Sequence, residues 1–322
     1  MSSLLIIGGS GFFGKSFLDA YQRGLLTPWD ISEIIVLSRN ATALAHSNPN
    51  ILDSSIKLIN LDIATAAELP NADYVIHAAA STDAARYLSK PHEERNNILA
   101  GTLNFCRLAK LMRSESKIVY VSSGAVYGQQ PACLKELHED FDLSPIENMP
   151  IIKRDYAAAK RHGEAAVNQL SKLGFNMSIA RCFAFVGAYL PRDQHFAIGN
   201  FIADGLYNRS ITVNSKHPVY RSYMYADDLV RWLMTIAENS STDCSIYNVG
   251  SSEPILIRDL AHKIGSYFGV KVIVPTALFD SEVDRYIPSI KKAESIGLTI
   301  KYDLEMALSQ TIETIKKLNT WT

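Results

Sequence analysis

The chain predicts an α/β fold, a doubly wound parallel sheet followed by a smaller C-terminal lobe, and three observations carry that prediction. Apolar runs with strand character recur at Ser3–Ile7, Ile34–Leu37, Ile56–Leu61, Tyr74–His77, Ile118–Ser122 and Met177–Arg181. Helical stretches lie between several of them, at Phe12–Arg23, Arg95–Met112 and Tyr156–Leu173. Strands that alternate with helices pack as a parallel sheet covered on both faces. Beyond Arg181 the pattern loosens into loops, short strands and helices at Asp227–Ala237, Ile257–Phe268 and Leu304–Leu318. The expected division is therefore residues 1–180 as the sheet domain, with segments of about 215–250 returning to it, and 181–322 mainly as a lobe that shapes a pocket. Gln129–Pro150 lacks a regular period and reads as a long loop, a feature often functional inside a compact domain.

Composition narrows the partners. The 322 residues carry a formal net charge of −1 and are 47% hydrophobic, enough for a large core without the basic excess of nucleic-acid binders. No apolar run approaches the ~18 residues that span a bilayer, and the N-terminus reads as a core strand, not a signal peptide. Neither nucleic acid nor membrane is an expected partner. Cys106, Cys133, Cys182 and Cys244 are scattered without metal-type spacing, so no metal is expected, and as reduced thiols they fit a cytoplasmic location.

The first strand runs into Ile7-Gly8-Gly9-Ser10-Gly11-Phe12-Phe13-Gly14. Glycines at a strand-to-helix junction permit a tight turn, close approach to a pyrophosphate and tight helix packing. The helix N-terminus offers free N–H groups and a positive dipole end to phosphate. This placement predicts a dinucleotide site.

Two further segments carry chemistry. The fifth strand ends in Val121-Ser122-Ser123-Gly124-Ala125-Val126-Tyr127-Gly128, and Tyr156-Ala157-Ala158-Ala159-Lys160 follows on a helix. A spacing of four places Tyr156 and Lys160 one turn apart on one face. An ammonium there is expected to lower the tyrosine pKa from ~10 toward working pH and make it an acid/base. Tyr267 and Lys271 share the spacing, but Gly269 between them marks a helix end, and that pair reads as coincidence.

Together these motifs resemble the extended short-chain dehydrogenase/reductase superfamily, in its NAD-dependent epimerase/dehydratase branch, over nearly the whole chain. The resemblance rests on Gly8-x-x-Gly11-x-x-Gly14, Asp62, His77-Ala78-Ala79-Ala80, Ser122-Ser123…Tyr127-Gly128 and Tyr156-x-x-x-Lys160. It continues through Arg181-x-Phe183…Gly187, Arg221…Asp228-Leu229 and Tyr247-Asn248-Val249-Gly250. It implies a Rossmann-type domain, a nucleotide-diphosphate sugar substrate and a homodimer, with the Arg95–Met112 and Tyr156–Leu173 helices as interface candidates. It also implies roles: Ser123 and Tyr156 as catalytic hydroxyls, Ser123 also holding substrate, and Lys160 binding the nicotinamide ribose and tuning Tyr156. Gly8, Gly11, Phe12, Phe13 and Gly14 would line the pyrophosphate, Asp62 and Ile63 the adenine, and Ala78, Ala79 and Ala80 would run past the cofactor. Arg221 matches a phosphate-binding arginine and Arg285 is a second candidate. The segment after Arg181 lacks the family's usual asparagine, so a nucleotide contact is either missing or supplied from Gln194, His195 or Asn200; Asn97 is a weaker match.

Departures from the pattern decide more. Where the 4,6-dehydratases carry Asp-Glu, this chain has Gly124-Ala125, which transfer no proton. A 4-epimerase or 4-ketoreductase is expected instead. Ser38-Arg39-Asn40 at the end of the second strand lacks the acid that accepts a ribose 2′-OH, while an arginine pairs with a 2′-phosphate. This favours NADP(H) over NAD(H), and with it the ketoreductase. The alternatives are a reductase of a small non-nucleotide ketone and an inactive dinucleotide-sensing protein.

Overall fold

The computed structural model describes residues 1–80, 89–192, 194, 196–276 and 283–319. Its centre is a seven-stranded sheet in which every pairing is parallel. The strands are β1 (Ser2–Ile7), β2 (Ile31–Ser38), β3 (Ile56–Asn60), β4 (Tyr74–His77), β5 (Lys117–Ser123), β6 (Asn176–Cys182) and a last strand at Ser245–Val249. They lie in the spatial order β3-β2-β1-β4-β5-β6, with Ser245–Val249 at the β6 edge. This is the Rossmann-type order, and it reverses between β1 and β4.

The sheet is buried on both faces, which is why its strands read as continuous apolar runs. Leu4 and Ile6 of β1 point into one core, with Phe17 and Leu18 of helix α1 (Phe12–Gln22) and with Trp232 and Leu233 of the Ala226–Glu238 helix. Leu5 and Ile7 point into the other, with Phe105 of the Pro91–Ala109 helix and Val167 of the Ile151–Ser171 helix. Strict alternation along one strand thus feeds two separate cores.

A third core joins Ile198, Phe201 and Ile202 of the Ala197–Leu206 helix to Leu260 and Ile264 of the Ile257–Phe268 helix and Ile312 of the Leu304–Asn319 helix. Beside it lies a small three-stranded sheet in which Val219–Arg221 pairs with Ile255–Leu256 on one side and Asp284–Tyr286 on the other. The stretch expected as a long loop is irregular apart from a short turn at Ile146–Asn148, yet it is pinned. Leu137 exchanges backbone hydrogen bonds with Ile287 and Ser289 at 2.8 Å each, and Gln130 Oε1 accepts from the Ile287 N–H at 2.9 Å. The loop therefore anchors the segment that follows Asp284–Tyr286. No helix among the described residues is long and apolar enough to cross a membrane.

Candidate active site

The strand order reverses between β1 and β4, so their C-terminal ends open a crevice. At the β1 end, Gly8 has φ +89°, and a Cβ there would lie 2.7 Å from the Ala79 backbone. Glycine is required by both conformation and contact. A Cβ on Gly14 would run into the Gly9 carbonyl, so the third glycine lets α1 sit tightly on the turn. Gly11, in contrast, is exposed and has room for a Cβ. It stands at the α1 N-terminus without a side-chain cap, and the first turn holds no acid. The half-buried Phe12 and Phe13 rings pack on Phe185. The N–H end of α1 is thus open to an anion.

The other predicted cofactor residues ring the same crevice. The Ala78 N–H donates to the Ile7 carbonyl of β1 at 2.8 Å, and Ala80 packs with Tyr156, Ile98 and Ala159. Asp62 Oδ1 accepts from the Ala64 N–H at 2.9 Å; Ile63 is buried and its carbonyl accepts from Asn104 at 2.7 Å. At the end of β2, the Ser38 hydroxyl is buried without a partner, and Arg39 is exposed with no ion pair or hydrogen bond among the described residues. Glu33, at the start of β2, is paired with Lys57. These residues fit a dinucleotide, with Arg39 unpaired among the described residues at the end of β2.

Ser123, Tyr156 and Lys160 are brought together. Ser123 ends β5 and its Oγ accepts from the Ala125 N–H at 3.2 Å. Tyr156 is half-buried and packs with Ala80, Ile98 and Ala159. Lys160 is buried, donates from Nζ to the Val121 carbonyl at 2.7 Å, and lies 5.0 Å from the Tyr120 ring centroid and 6.0 Å from that of Tyr156. Burial pushes the Lys160 pKa down to about 8. It pushes Tyr156 up to about 12, with the nearby Ser123 hydroxyl offsetting part of the rise. The expectation that Lys160 draws the tyrosine pKa toward working pH is therefore corrected. Desolvation of the phenolate outweighs an ammonium held at this distance and already bonded to a carbonyl.

Several motif residues turn out to be scaffolding beneath the crevice. Glu164 accepts from Ser122 Oγ at 2.6 Å and from Arg181 at 3.0 and 2.8 Å, all buried. Arg181 lies over the Tyr127 ring at 4.7 Å, and Tyr127 donates to Asn248 Oδ1 at 2.8 Å. His77 is buried between Phe105 and Tyr120 with neither ring nitrogen partnered, and burial pushes its pKa down to about 3. The Asp228 carboxylate pairs with Arg231 and accepts from the Lys301 and Tyr302 N–H groups.

The substrate-side arginines meet on the small sheet. Arg221 Nη2 pairs with Asp284 at 2.8 Å and Nη1 donates to the Tyr220 carbonyl at 2.8 Å. Arg285 lies over the Tyr220 ring at 4.2 Å with its Nε buried and unpartnered. Asn97 is exposed, Asn200 donates to the Gln194 carbonyl at 2.6 Å, and His195 lies outside the described residues. Tyr286, which sequence reasoning passed over, stacks on Phe183 with ring centroids 4.6 Å apart and brings its Oη to 2.7 Å from where a Gly124 Cβ would be. Tyr267 and Lys271 do not share a helix, since the Ile257–Phe268 helix ends at Gly269 with φ +71°.

Residues 4–250 match the model of the NAD dependent epimerase/dehydratase family. The chain belongs to that family. It is 26% identical over 321 residues to UDP-glucuronic acid decarboxylase 1 of Danio rerio, covering 96% of this chain and 72% of the relative. Its fold matches a UDP-glucose 4-epimerase from Thermotoga maritima with UDP-glucose, at TM-score 0.80 and 19% identity over 98% and 99% of the two chains. It also matches a dTDP-glucose 4,6-dehydratase from Streptomyces venezuelae with NAD bound, at TM-score 0.80 and 22% identity over 99% and 98%. The family consists of NAD-dependent enzymes that modify sugar nucleotides. Decarboxylase, epimerase and dehydratase share the fold, so the reaction has to be read from this chain's own side chains.

Proposed function

We propose that this protein catalyses NAD(P)-dependent oxidoreduction at a carbinol or ketone carbon, C4, of a nucleotide-diphosphate sugar, as a 4-epimerase or 4-ketoreductase and without dehydration. The observation that carries this reading is the meeting of Ser123, Tyr156 and Lys160 at the switch-point crevice with Gly124 beside them. A dinucleotide held by the Gly8–Gly14 turn would supply the hydride acceptor in one direction and the donor in the other. The protein's part is the proton. In reduction Tyr156 gives its phenolic proton to the ketone oxygen; in oxidation the phenolate takes the carbinol proton. Lys160 stabilises the phenolate with its ammonium, and Arg221 and Arg285 offer guanidinium groups to the diphosphate.

Elimination of water needs an acid beside Ser123. A Cβ at Gly124 would meet the Phe183 ring and Tyr286 Oη at 2.7 Å, which supports a reading without an acid at position 124. The unpaired Arg39 and the orphan Ser38 hydroxyl support NADP(H) as the preferred cofactor. Residues 1–180 would then hold the dinucleotide and 181–322 mainly the sugar nucleotide. Exposed Leu103, Leu111, Ile151 and Leu173, in or beside the two interface-candidate helices, support a homodimer.

Identification of the dinucleotide released on denaturation, with titration of the emptied protein and of Arg39→Ala, tests the cofactor assignment. Tighter binding of NADPH than NADH, with the preference lost in Arg39→Ala, is expected. An unchanged preference in that variant would contradict the role of Arg39.

A further inference from the structure

Arg221, offered to the diphosphate in the proposed function, is not a free cation. Its Nη2 donates to Asp284 Oδ2 at 2.8 Å, and its Nη1 donates to the Tyr220 carbonyl at 2.8 Å.

Strand register shows which way this ion pair faces. Asp284–Tyr286 runs parallel to Val219–Arg221, with Asp284 opposite Val219 and Tyr286 opposite Arg221. Side chains two apart on a strand share a face. Asp284 and Tyr286 therefore share one, and the bond to Asp284 puts the Arg221 guanidinium on it too. Tyr286 carries that face to the end of β5, where its Oη lies 2.7 Å from where a Gly124 Cβ would be. Cation and carboxylate thus stand together on the face that meets the Ser123-Gly124 corner. The backbone beneath the carboxylate is fixed, because the Asp284 N–H donates to the Pro218 carbonyl at 2.9 Å.

Counting donors shows what Arg221 can still hold. A guanidinium has five N–H groups, and the two bonds above leave three for a diphosphate. Anions bonded to one guanidinium sit within about 5 Å of each other, close enough for like charges to repel. The Arg221 and Asp284 side chains are 21% and 36% exposed, so the hold of Asp284 on the arginine is weak. Repulsion between Asp284 and a multiply charged diphosphate is the larger effect.

We propose that Asp284 is a specificity-determining residue that shares Arg221 with the substrate and limits its grip on diphosphates. The penalty grows with the charge of the ligand. A free nucleoside diphosphate is therefore disfavoured more than a nucleotide-diphosphate sugar, whose distal phosphate is esterified and carries one charge fewer. This rests on the assignment of Arg221 to the diphosphate and deepens it, because it names the class of ligand that the site selects against.

The test is isothermal titration calorimetry of the full chain at pH 8 with UDP, dTDP and their glucose esters. Asp284→Asn is expected to bind the nucleoside diphosphate about tenfold more tightly and its glucose ester about fourfold, narrowing the preference for the sugar-bearing ligand. A distorted site would not produce such a gain. Asp284→Glu, which keeps the charge, is expected to bind both within about twofold of the parent, and Arg221→Ala to bind both at least about tenfold more weakly. Asp284→Asn binding both ligands no more tightly than the parent, while Arg221→Ala binds them weakly, overturns the role of Asp284 and leaves that of Arg221 standing. Equal tightening for the two ligands, or a gain in Asp284→Glu as large as in Asp284→Asn, overturns selection by charge. Parent-like affinity in Arg221→Ala, or no binding of any of the four ligands by the parent, overturns the assignment beneath it.

Discussion

At the scale of single residues, the least comfortable group in the molecule is Lys160. It is 2% exposed, its ammonium has one carbonyl bond, and burial pushes its pKa from 10.5 down to about 8. A buried cation with no ion pair among the described residues costs stability, which its proposed role would retain. The sign follows from proton counting. Between about pH 8 and 10.5 the unfolded chain keeps the proton and the folded chain has lost it, so stability rises with pH across that window. Lys160→Met is therefore expected to raise the unfolding free energy at pH 7 by on the order of 2 kcal/mol, the desolvation gain less the lost Val121 bond. The advantage should shrink as pH climbs through 8 to 10.5, and urea melts at several pH values would show it. Turnover should be lost in the same variant. In the unaltered enzyme, turnover should fall above about pH 8 as the ammonium deprotonates. A Lys160→Met variant less stable than the parent at pH 7 would mean that the lysine is a structural anchor.

At the scale of elements, the crevice is held by a buried polar frame that joins β5, the Ile151–Ser171 helix and β6. Glu164, one turn after Lys160, ties Ser122 to Arg181, and Ser122 immediately precedes Ser123. Removing the charge from one member leaves the other buried and unpaired. Glu164→Gln is thus expected to destabilise the fold by roughly 3 kcal/mol, a loss of several degrees in Tm that differential scanning calorimetry would detect. A change within 0.5 °C would show the pair to be dispensable.

The strands of this frame were legible in the sequence to within a few residues, because strands buried on both faces spell themselves as apolar runs. The turn from Gly8 to Gly14 was legible because its spacing is a local steric requirement. The roles of Ser122, Tyr127, Glu164 and Arg181 were not: a motif marks positions, and only packing reveals that these side chains face one another under the site. Tyr286 was hidden for a different reason. Its neighbours Gly124 and Phe183 are distant in the chain, and the glycine at 124 reads equally well as a missing acid. The tyrosine pKa was misjudged because spacing reports proximity to Lys160 but not the desolvation of both groups.

At the scale of the whole molecule, the proposed function would divide the work of the site between two lobes. The parallel sheet brings Gly8, Ala78–Ala80 and the Ser123/Tyr156/Lys160 set to one end, and the small sheet sets Arg221, Arg285 and Tyr286 on a shared framework across from them. Asp284 pairs with Arg221 and, two residues on, Tyr286 Oη lies beside Gly124, so one three-residue strand runs from that arginine to the end of β5. The most direct test of this account is to follow, by ¹H NMR, the protein and its Tyr156→Phe variant with NAD(P)⁺ and UDP- and dTDP-hexoses, and with NADPH and their 4-keto counterparts. The account predicts a product altered at C4 with every carbon–oxygen bond retained, and no product from the variant although it binds dinucleotide as the parent does. A product that has lost water, or a Tyr156→Phe variant as active as the parent, would contradict it.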